Sequence, residues 1–347
     1  SLSTLFHTAL NNVPFYPALG NHETFPLEVW NFKANPDVYS DPTEKKYQED
    51  QEKFESTFSN DWKVWIGPDG SSLFEKNGYY STYNQKAGVR IISMNTNACH
   101  SENFYLLLDP TDPGGMLAWF EATLRQSEKD NESVYVIGHI APSSADCFTQ
   151  WSTRFSALVE RFSHIIRGQF YGHIHSDSFL IYKSFLNTSQ TVQSGFLAPS
   201  MTTNSHRNPS FRVFEMDSDT KLPVNYYQYR LNITKANQDP SQPLHWDIAY
   251  DFLSEYGYSD LSLATLDNLR GKILNDKPTF QKVANNYNTG TGSSGSNTGF
   301  YCGLLSTYDQ NVNCLKQLNV SVTPSIMNEG LAVISGVWIN KTIAISE

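Results

Sequence analysis

The run Phe170-Tyr171-Gly172-His173-Ile174-His175 decides how this chain is read: an apolar strand ends on a glycine, and two imidazoles one residue apart follow. In an open α/β sheet, ligands bind beyond the carboxyl ends of the strands, so polar residues there face a common crevice. Glycine just before them permits a sharp turn and a close backbone approach. Working outward, two further segments are built the same way: Val134-Tyr135-Val136-Ile137-Gly138-His139 and Tyr16-Pro17-Ala18-Leu19-Gly20-Asn21-His22-Glu23. A single Gly-His pair is common and is usually plain structure. Three such strand ends in one chain supply imidazole nitrogens and an amide oxygen, the donors that zinc, iron or manganese takes.

Around these segments, residues 1–230 alternate short β-branched and aromatic runs with amphipathic stretches, a mixed α/β pattern. Strands are expected at 13–19, 89–95, 133–138, 169–172, 178–183, 191–197, 211–216 and 224–231. The helical spacing of Met116, Leu117, Phe120 and Leu124, and of Phe155, Leu158, Val159, Phe162 and Ile166, predicts two core-facing helices. The charge-dense stretch 35–58 reads as a surface excursion ending in a solvated helix. After about Thr234 strand signals fade, and helical spacing dominates over 248–283. A Gly/Ser/Asn loop follows at 289–299, and 331–345 alternates apolar and polar residues as a strand would.

Composition narrows the class. Twenty-five Lys and Arg against 35 Asp and Glu give a net charge of -10, so no nucleic-acid binding is expected, because neutralising phosphates needs a concentrated basic face. With 39% hydrophobic and 14% aromatic residues, the chain is too apolar to stay disordered. No run of eighteen apolar residues predicts a membrane-spanning helix, and residues 1–9 lack the charged and apolar regions of a signal peptide. Five glycosylation sequons occur, at Asn131, Asn187, Asn232, Asn319 and Asn340. The four cysteines, Cys99, Cys147, Cys302 and Cys314, show no Cys-x-x-Cys spacing and are either buried thiols or two disulfides. Together with the sequons, the second reading is favoured, in a secreted or lysosomal glycoprotein. Cys302 and Cys314 are expected to staple a small helical terminal subdomain to itself.

The order Gly-Asn-His-Glu, Gly-His, Gly-His-x-His resembles the second half of the signature of calcineurin-like metallophosphoesterases, whose members hold two metals between two β-sheets. Segments 95–104, 109–113, 168–173, 196–200 and 231–237 are similar to the acid sphingomyelinase branch and carry the resemblance over nearly the whole chain. The resemblance implies an α/β fold, a metallophosphoesterase β-sandwich flanked by helices over 1–235, with a helical, disulfide-stapled C-terminal subdomain over 236–347. It implies that Asn21, His139 and His173 bind one metal and His175 the other, with two zinc ions per complete site. His22 would protonate the leaving oxygen, with Glu23 and Glu102 as candidates to orient it. Asn204 and His206, in the loop 202–209, become candidate substrate contacts. Cys99 and Cys147 are similar to a disulfide pair of the sphingomyelinase branch that nucleotide-cleaving members usually lack.

The implied reaction is hydrolysis of a phosphodiester in an acidic compartment, foremost sphingomyelin to ceramide and phosphocholine. A nucleotide phosphodiesterase on the same fold is the first alternative, and a secreted binding glycoprotein without catalysis is the second. A monomer is expected, and the fall in negative charge at low pH leaves room for peripheral membrane contact. The family's Asp-x-His and Gly-Asp motifs, which should precede Gly20, have no counterpart among these residues. About half of a dinuclear ligand set is therefore expected here, with the rest upstream. No saposin-like cysteine pattern is present.

Overall fold

In chain order the elements are α1 (Leu2–Ala9), α2 (Pro42–Asn77), β1 (Tyr80–Asn84), β2 (Val89–Ser93), α3 (Met116–Lys129), β3 (Ser133–Ile137), α4 (Thr149–Arg161), β4 (Ile166–Tyr171), β5 (Ser178–Lys183), β6 (Thr191–Leu197), β7 (Ser210–Met216), β8 (Pro223–Leu231), α5 (Ile233–Gln238), β9 (Trp246–Asp251), α6 (Phe252–Tyr256), α7 (Leu263–Asn275), α8 (Lys277–Tyr287), α9 (Asn297–Gly303) and α10 (Tyr308–Gln317). The computed structural model describes residues 2–10, 13–24, 26–32, 42–143, 146–292 and 295–322.

A six-stranded sheet is ordered β1-β2-β3-β4-β6-β5. Its middle strands β2, β3, β4 and β6 are parallel, and β1 and β5 close the edges antiparallel. Parallel neighbours need crossovers, and α3 and α4 supply them between β2, β3 and β4. Side chains alternate along a strand, so the sheet feeds two cores. In β5, Leu180 and Tyr182 join Phe120, Leu124, Phe155 and Val159 of α3 and α4 on one face. Phe179 and Ile181 point to the opposite core, with Phe196, Tyr226, Phe252 and Leu269. That second core is roofed by a three-stranded antiparallel sheet, β7-β8-β9, and by the helices after it. Phe214 bridges the sheets, its ring 5.0 Å from Phe170 and 5.1 Å from Phe196. The architecture is the expected mixed α/β one, a central sheet flanked by helices with a second, smaller sheet.

A buried ion pair crosses the same seam. Arg212 of β7 reaches Asp177, which follows the His173-Ile174-His175 turn, and both side chains are almost fully enclosed. Burial raises the Asp177 pKa while the Arg212 charge opposes it, and Tyr250 donates its hydroxyl to the same carboxylate. The guanidinium also stacks 4.0 Å from the Tyr226 ring centroid.

Several expectations change. Residues 13–19 are extended but form no strand: Pro14 and Pro17 lack the amide hydrogen that a ladder needs. The segment is held by Tyr80 and Ser93, whose hydroxyls donate to the Pro17 carbonyl at 2.7 and 3.1 Å. The strand β1, Tyr-Ser-Thr-Tyr-Asn, is too polar to stand out in the sequence. The strand β9 falls where helical spacing was expected to take over and pairs with β8, across the expected division at 235–236. Within 42–58 helix α2 is not purely solvated, since Phe54 and Phe58 pack against the buried cluster of Leu19, Trp30, Trp62 and Tyr80. It breaks at Gly67, whose φ is 73°, just before Pro68. Residues 33–41 and the alternating 331–345 segment lie outside the described residues.

Side-chain caps start the terminal helices, Ser262 at α7, Asp276 at α8, Ser296 at α9 and Thr307 at α10. Each cap contributes about 1 kcal/mol. As expected, Cys302 of α9 is bonded to Cys314 of α10. No described helix is long and apolar enough to cross a membrane.

Candidate metal centre

The strands β3 and β4 run side by side and end together, so His139 and His173 emerge at one edge of the sheet. Their loops are laced: Gly138 N–H donates to Phe170 O at 3.1 Å and Gly172 N–H to His139 O at 2.9 Å. Gly138 is required by its surroundings, since a Cβ there would lie 2.9 Å from Thr96 Cγ2. Beyond Gly172 the backbone enters the left-handed region twice, at His173 (φ 67°) and His175 (φ 55°). Such strain in residues other than glycine gathers at functional sites. Arg207 holds this turn by donating to Ile174 O at 2.8 Å.

The Gly20-Asn21-His22 turn docks onto the same edge. Asn97 Nδ2 donates to Gly20 O at 3.2 Å, and a Cβ on Gly20 would lie 3.3 Å from the His139 ring and 2.5 Å from Glu23 Oε2. Asn21, buried, sets its Oδ1 2.8 Å from His139 Nε2 and donates from Nδ2 to Glu28 Oε2 at 2.9 Å. The His139 and His173 rings are 5.1 Å apart, and His173 is 5.8 Å from the ring of His100. Burial, then the like charges of His173, His175, His22 and His100, holds the His139 pKa down to about 3. His139 is therefore neutral at physiological pH, the state in which a ring nitrogen can ligate a metal. Burial and the Arg207 charge also lower the pKa of His175.

The side chain of His22 is exposed, with Nε2 3.5 Å from Glu28 Oε1. Glu23 accepts the Gly20 N–H at 2.6 Å, and Glu102 is exposed. Asn204 and His206 are exposed on a turn anchored beside His175 by Arg207. Asn131, Asn187, Asn232 and Asn319 are all exposed, and Asn340 lies outside the described residues.

Three residues of the site had escaped the sequence reading: Glu28, His100 and Asp146. His100 contacts the Glu28 carboxylate, and His173 Nε2 lies 3.1 Å from Asp146 Oδ2. The signal for two of them was the cysteine beside each. Cys99 and Cys147 are bonded, as the resemblance implied, and this brings His100 and Asp146 to the pocket. Around the bridge, Ser101 N–H donates to Asp146 O and Phe148 N–H to Cys99 O, both at 2.7 Å. Glu28 gave no sequence signal, since its place comes from a left-handed backbone turn (φ 73°).

An amide oxygen facing a neutral imidazole at 2.8 Å, with further imidazoles alongside, is a donor set that fits a borderline divalent ion such as zinc. Among the described residues no three His, Cys, Asp or Glu are already drawn together at metal-holding distance. The fit is thus to part of a centre, with Asn21, His139, His173 and His175 as the residues that would hold the ion.

Residues 2–177 match the calcineurin-like phosphoesterase family, the span that ends just past His175. The chain is 31% identical over 285 residues to the sphingomyelin phosphodiesterases of Bos taurus and Homo sapiens, an overlap covering 81% of this chain and 43% of each relative. It is 28% identical over 343 residues to a cyclic GMP-AMP phosphodiesterase of Homo sapiens, covering 94% of this chain and 67% of the relative. The chain thus spans less than half the length of those sphingomyelin phosphodiesterases. On the family match, the site geometry and these similarities, the chain belongs to the calcineurin-like phosphoesterases and is an acid-sphingomyelinase-like member of that family.

Proposed function

We propose that the protein is a metal-dependent phosphodiesterase that hydrolyses sphingomyelin to ceramide and phosphocholine. The observation that carries this reading is the Asn21 Oδ1 to His139 Nε2 contact, with the exposed His22 next in sequence and 3.5 Å from the Glu28 carboxylate that also holds Asn21. A divalent ion, with zinc as the choice, would neutralise the anionic phosphodiester and make water a competent nucleophile. Asn21, His139 and His173 would hold one ion and His175 would contribute to a second. Water would attack phosphorus in line as the bond to the ceramide oxygen breaks, His22 would give its proton to that oxygen, and the proton released by the water would restore the charged imidazole. Asn204 and His206 border the substrate from the loop anchored by Arg207.

Residues 1–235 form the catalytic domain in this proposal, and 236–347 a C-terminal, mainly helical subdomain joined to it by the pairing of β9 with β8. Exposed sequons at Asn131, Asn187, Asn232 and Asn319 and two disulfides support a secreted or lysosomal glycoprotein. Similarity to a cyclic GMP-AMP phosphodiesterase over 94% of the chain favours a second reading, a nucleotide substrate in the same pocket. The deciding experiment measures turnover of sphingomyelin and of cyclic dinucleotides and ATP by the full-length protein, with metal content by elemental analysis. Chelator-sensitive turnover that favours sphingomyelin is expected. Faster turnover of a nucleotide selects the second reading, and metal-free protein without turnover overturns both.

A further inference from the structure

We propose that Glu28 is a positioning residue that fixes which end of the Asn21 side chain faces the metal pocket and steadies His22, with buried His100 holding Glu28 in place. The inference rests on the phosphodiesterase reading only for the role of His22. An asparagine amide has an acceptor end and a donor end, and only the oxygen has lone pairs to offer a metal. Asn21 is buried, so nothing in bulk water selects its orientation. The Glu28 carboxylate selects it: Oε2 accepts from Asn21 Nδ2 at 2.9 Å, which turns Oδ1 toward His139. The backbone reinforces the arrangement, since Glu28 N–H donates to Asn21 O at 2.9 Å and Glu28 occupies a left-handed φ of 73°.

His100 anchors the carboxylate from the other side. It is 2% exposed, its Nε2 contacts Glu28 Oε2, and its Nδ1 is buried without a hydrogen-bond partner among the described residues. A carboxylate can only accept here, so Nε2 carries the imidazole proton and Glu28 is the polar group that fixes this ring. The second carboxylate oxygen, Oε1, is 3.5 Å from His22 Nε2. One carboxylate thus divides its two oxygens, one for the ligand amide and the His100 anchor, the other for the proton donor.

The division of labour can be tested with zinc ion alone. In the full-length protein, zinc affinity is measured by competition with a chromogenic chelator for wild type, Glu28→Gln and Glu28→Asp, with Glu28→Ala as a third variant. Glutamine keeps the reach and one acceptor oxygen, so Glu28→Gln should bind zinc within about threefold of wild type. Aspartate keeps the charge but is one methylene too short, so Glu28→Asp and Glu28→Ala should bind about 10–100-fold more weakly, the usual loss when a group behind a ligand is removed. Glu28→Gln should still lose kcat with little change in KM, because its amide nitrogen takes the place of the oxygen beside His22. Zinc affinity within twofold of wild type for Glu28→Asp and Glu28→Ala overturns the proposal. Glu28→Gln as weak as Glu28→Ala overturns it too, since the reach and acceptor oxygen that glutamine keeps would then not orient the Asn21 amide. Wild type that binds zinc but hydrolyses no phosphodiester sinks the proposed function and leaves the affinity comparison standing.

Discussion

The carboxylate of Asp177, two residues beyond His175, lies against the guanidinium of Arg212 from the second sheet, with the side chains 6% and 1% exposed. The pair therefore ties the turn that carries His173 and His175 to β7. Removing one partner of a buried pair strands the other charge and costs about 3–5 kcal/mol. Arg212→Met should accordingly lower Tm by about 5–10 °C. Arg212→Met with Asp177→Asn should recover part of the loss. A single variant melting with wild type would refute the account.

The Cys99–Cys147 bridge closes 48 residues and the Cys302–Cys314 bridge closes 12. Chain entropy alone makes the first worth about 4 kcal/mol and the second about 3 kcal/mol. The functional contrast should be larger than the difference in stability, because only the first carries His100 and Asp146 to the pocket. Turnover by Cys99→Ser/Cys147→Ser is expected to collapse at temperatures where that variant remains folded, while Cys302→Ser/Cys314→Ser keeps most of its activity. Equal loss of activity in both would show that the first bridge has no local role.

His139→Ala and His22→Ala should fail in different ways. On the proposed function the first removes a neutral imidazole at the centre of the cluster, so elemental analysis should find less metal and turnover should disappear. The second should retain metal and lose about 10²–10⁴-fold in kcat, the usual contribution of a positioned proton donor. If His22→Ala turns over substrate as wild type does, His22 is not the acid.

Acid stability should depend on Glu132. Arg90 donates Nε and Nη2 to its two carboxylate oxygens at 2.6 and 2.8 Å, and this pairing lowers the Glu132 pKa below 4.5. A carboxylate depressed in the folded state stabilises at pH above its unfolded value, and the stabilisation is lost as pH falls through the folded value. Unfolding free energy should thus decline below about pH 4.5. Glu132→Gln should be about 1–2 kcal/mol less stable at pH 7 and converge on wild type as pH falls through the lowered Glu132 pKa. Parallel pH curves for the two proteins would exclude the mechanism.

The legible parts of the fold were those governed by local pattern. Residues 178–183 and 191–197 were read as strands and are β5 and β6, because their alternating side chains serve two dry faces. Residues 80–84 and 246–251 were missed, since they sit at sheet edges where polar residues suffice. Residues 13–19 have strand composition but two prolines, and their anchors are hydroxyls distant in sequence. At the site, glycine followed by histidine or asparagine marked Asn21, His139, His173 and His175. Glu28, His100 and Asp146 were not marked, because a strained turn and a disulfide, both products of tertiary folding, bring them in.

The contact between Asn21 and His139 spans 118 residues, and that between Glu28 and His100 spans 72. The cluster is therefore assembled from segments far apart in the chain. A growing chain has no ion-binding cup until His175 has been synthesised and the parallel strands have closed on one another, a slow and non-local step. On the proposed function, metal capture would report the pairing of β3 with β4. The Cys99–Cys147 bridge joins residues 48 apart, so the oxidation that carries His100 and Asp146 inward belongs to the same non-local assembly.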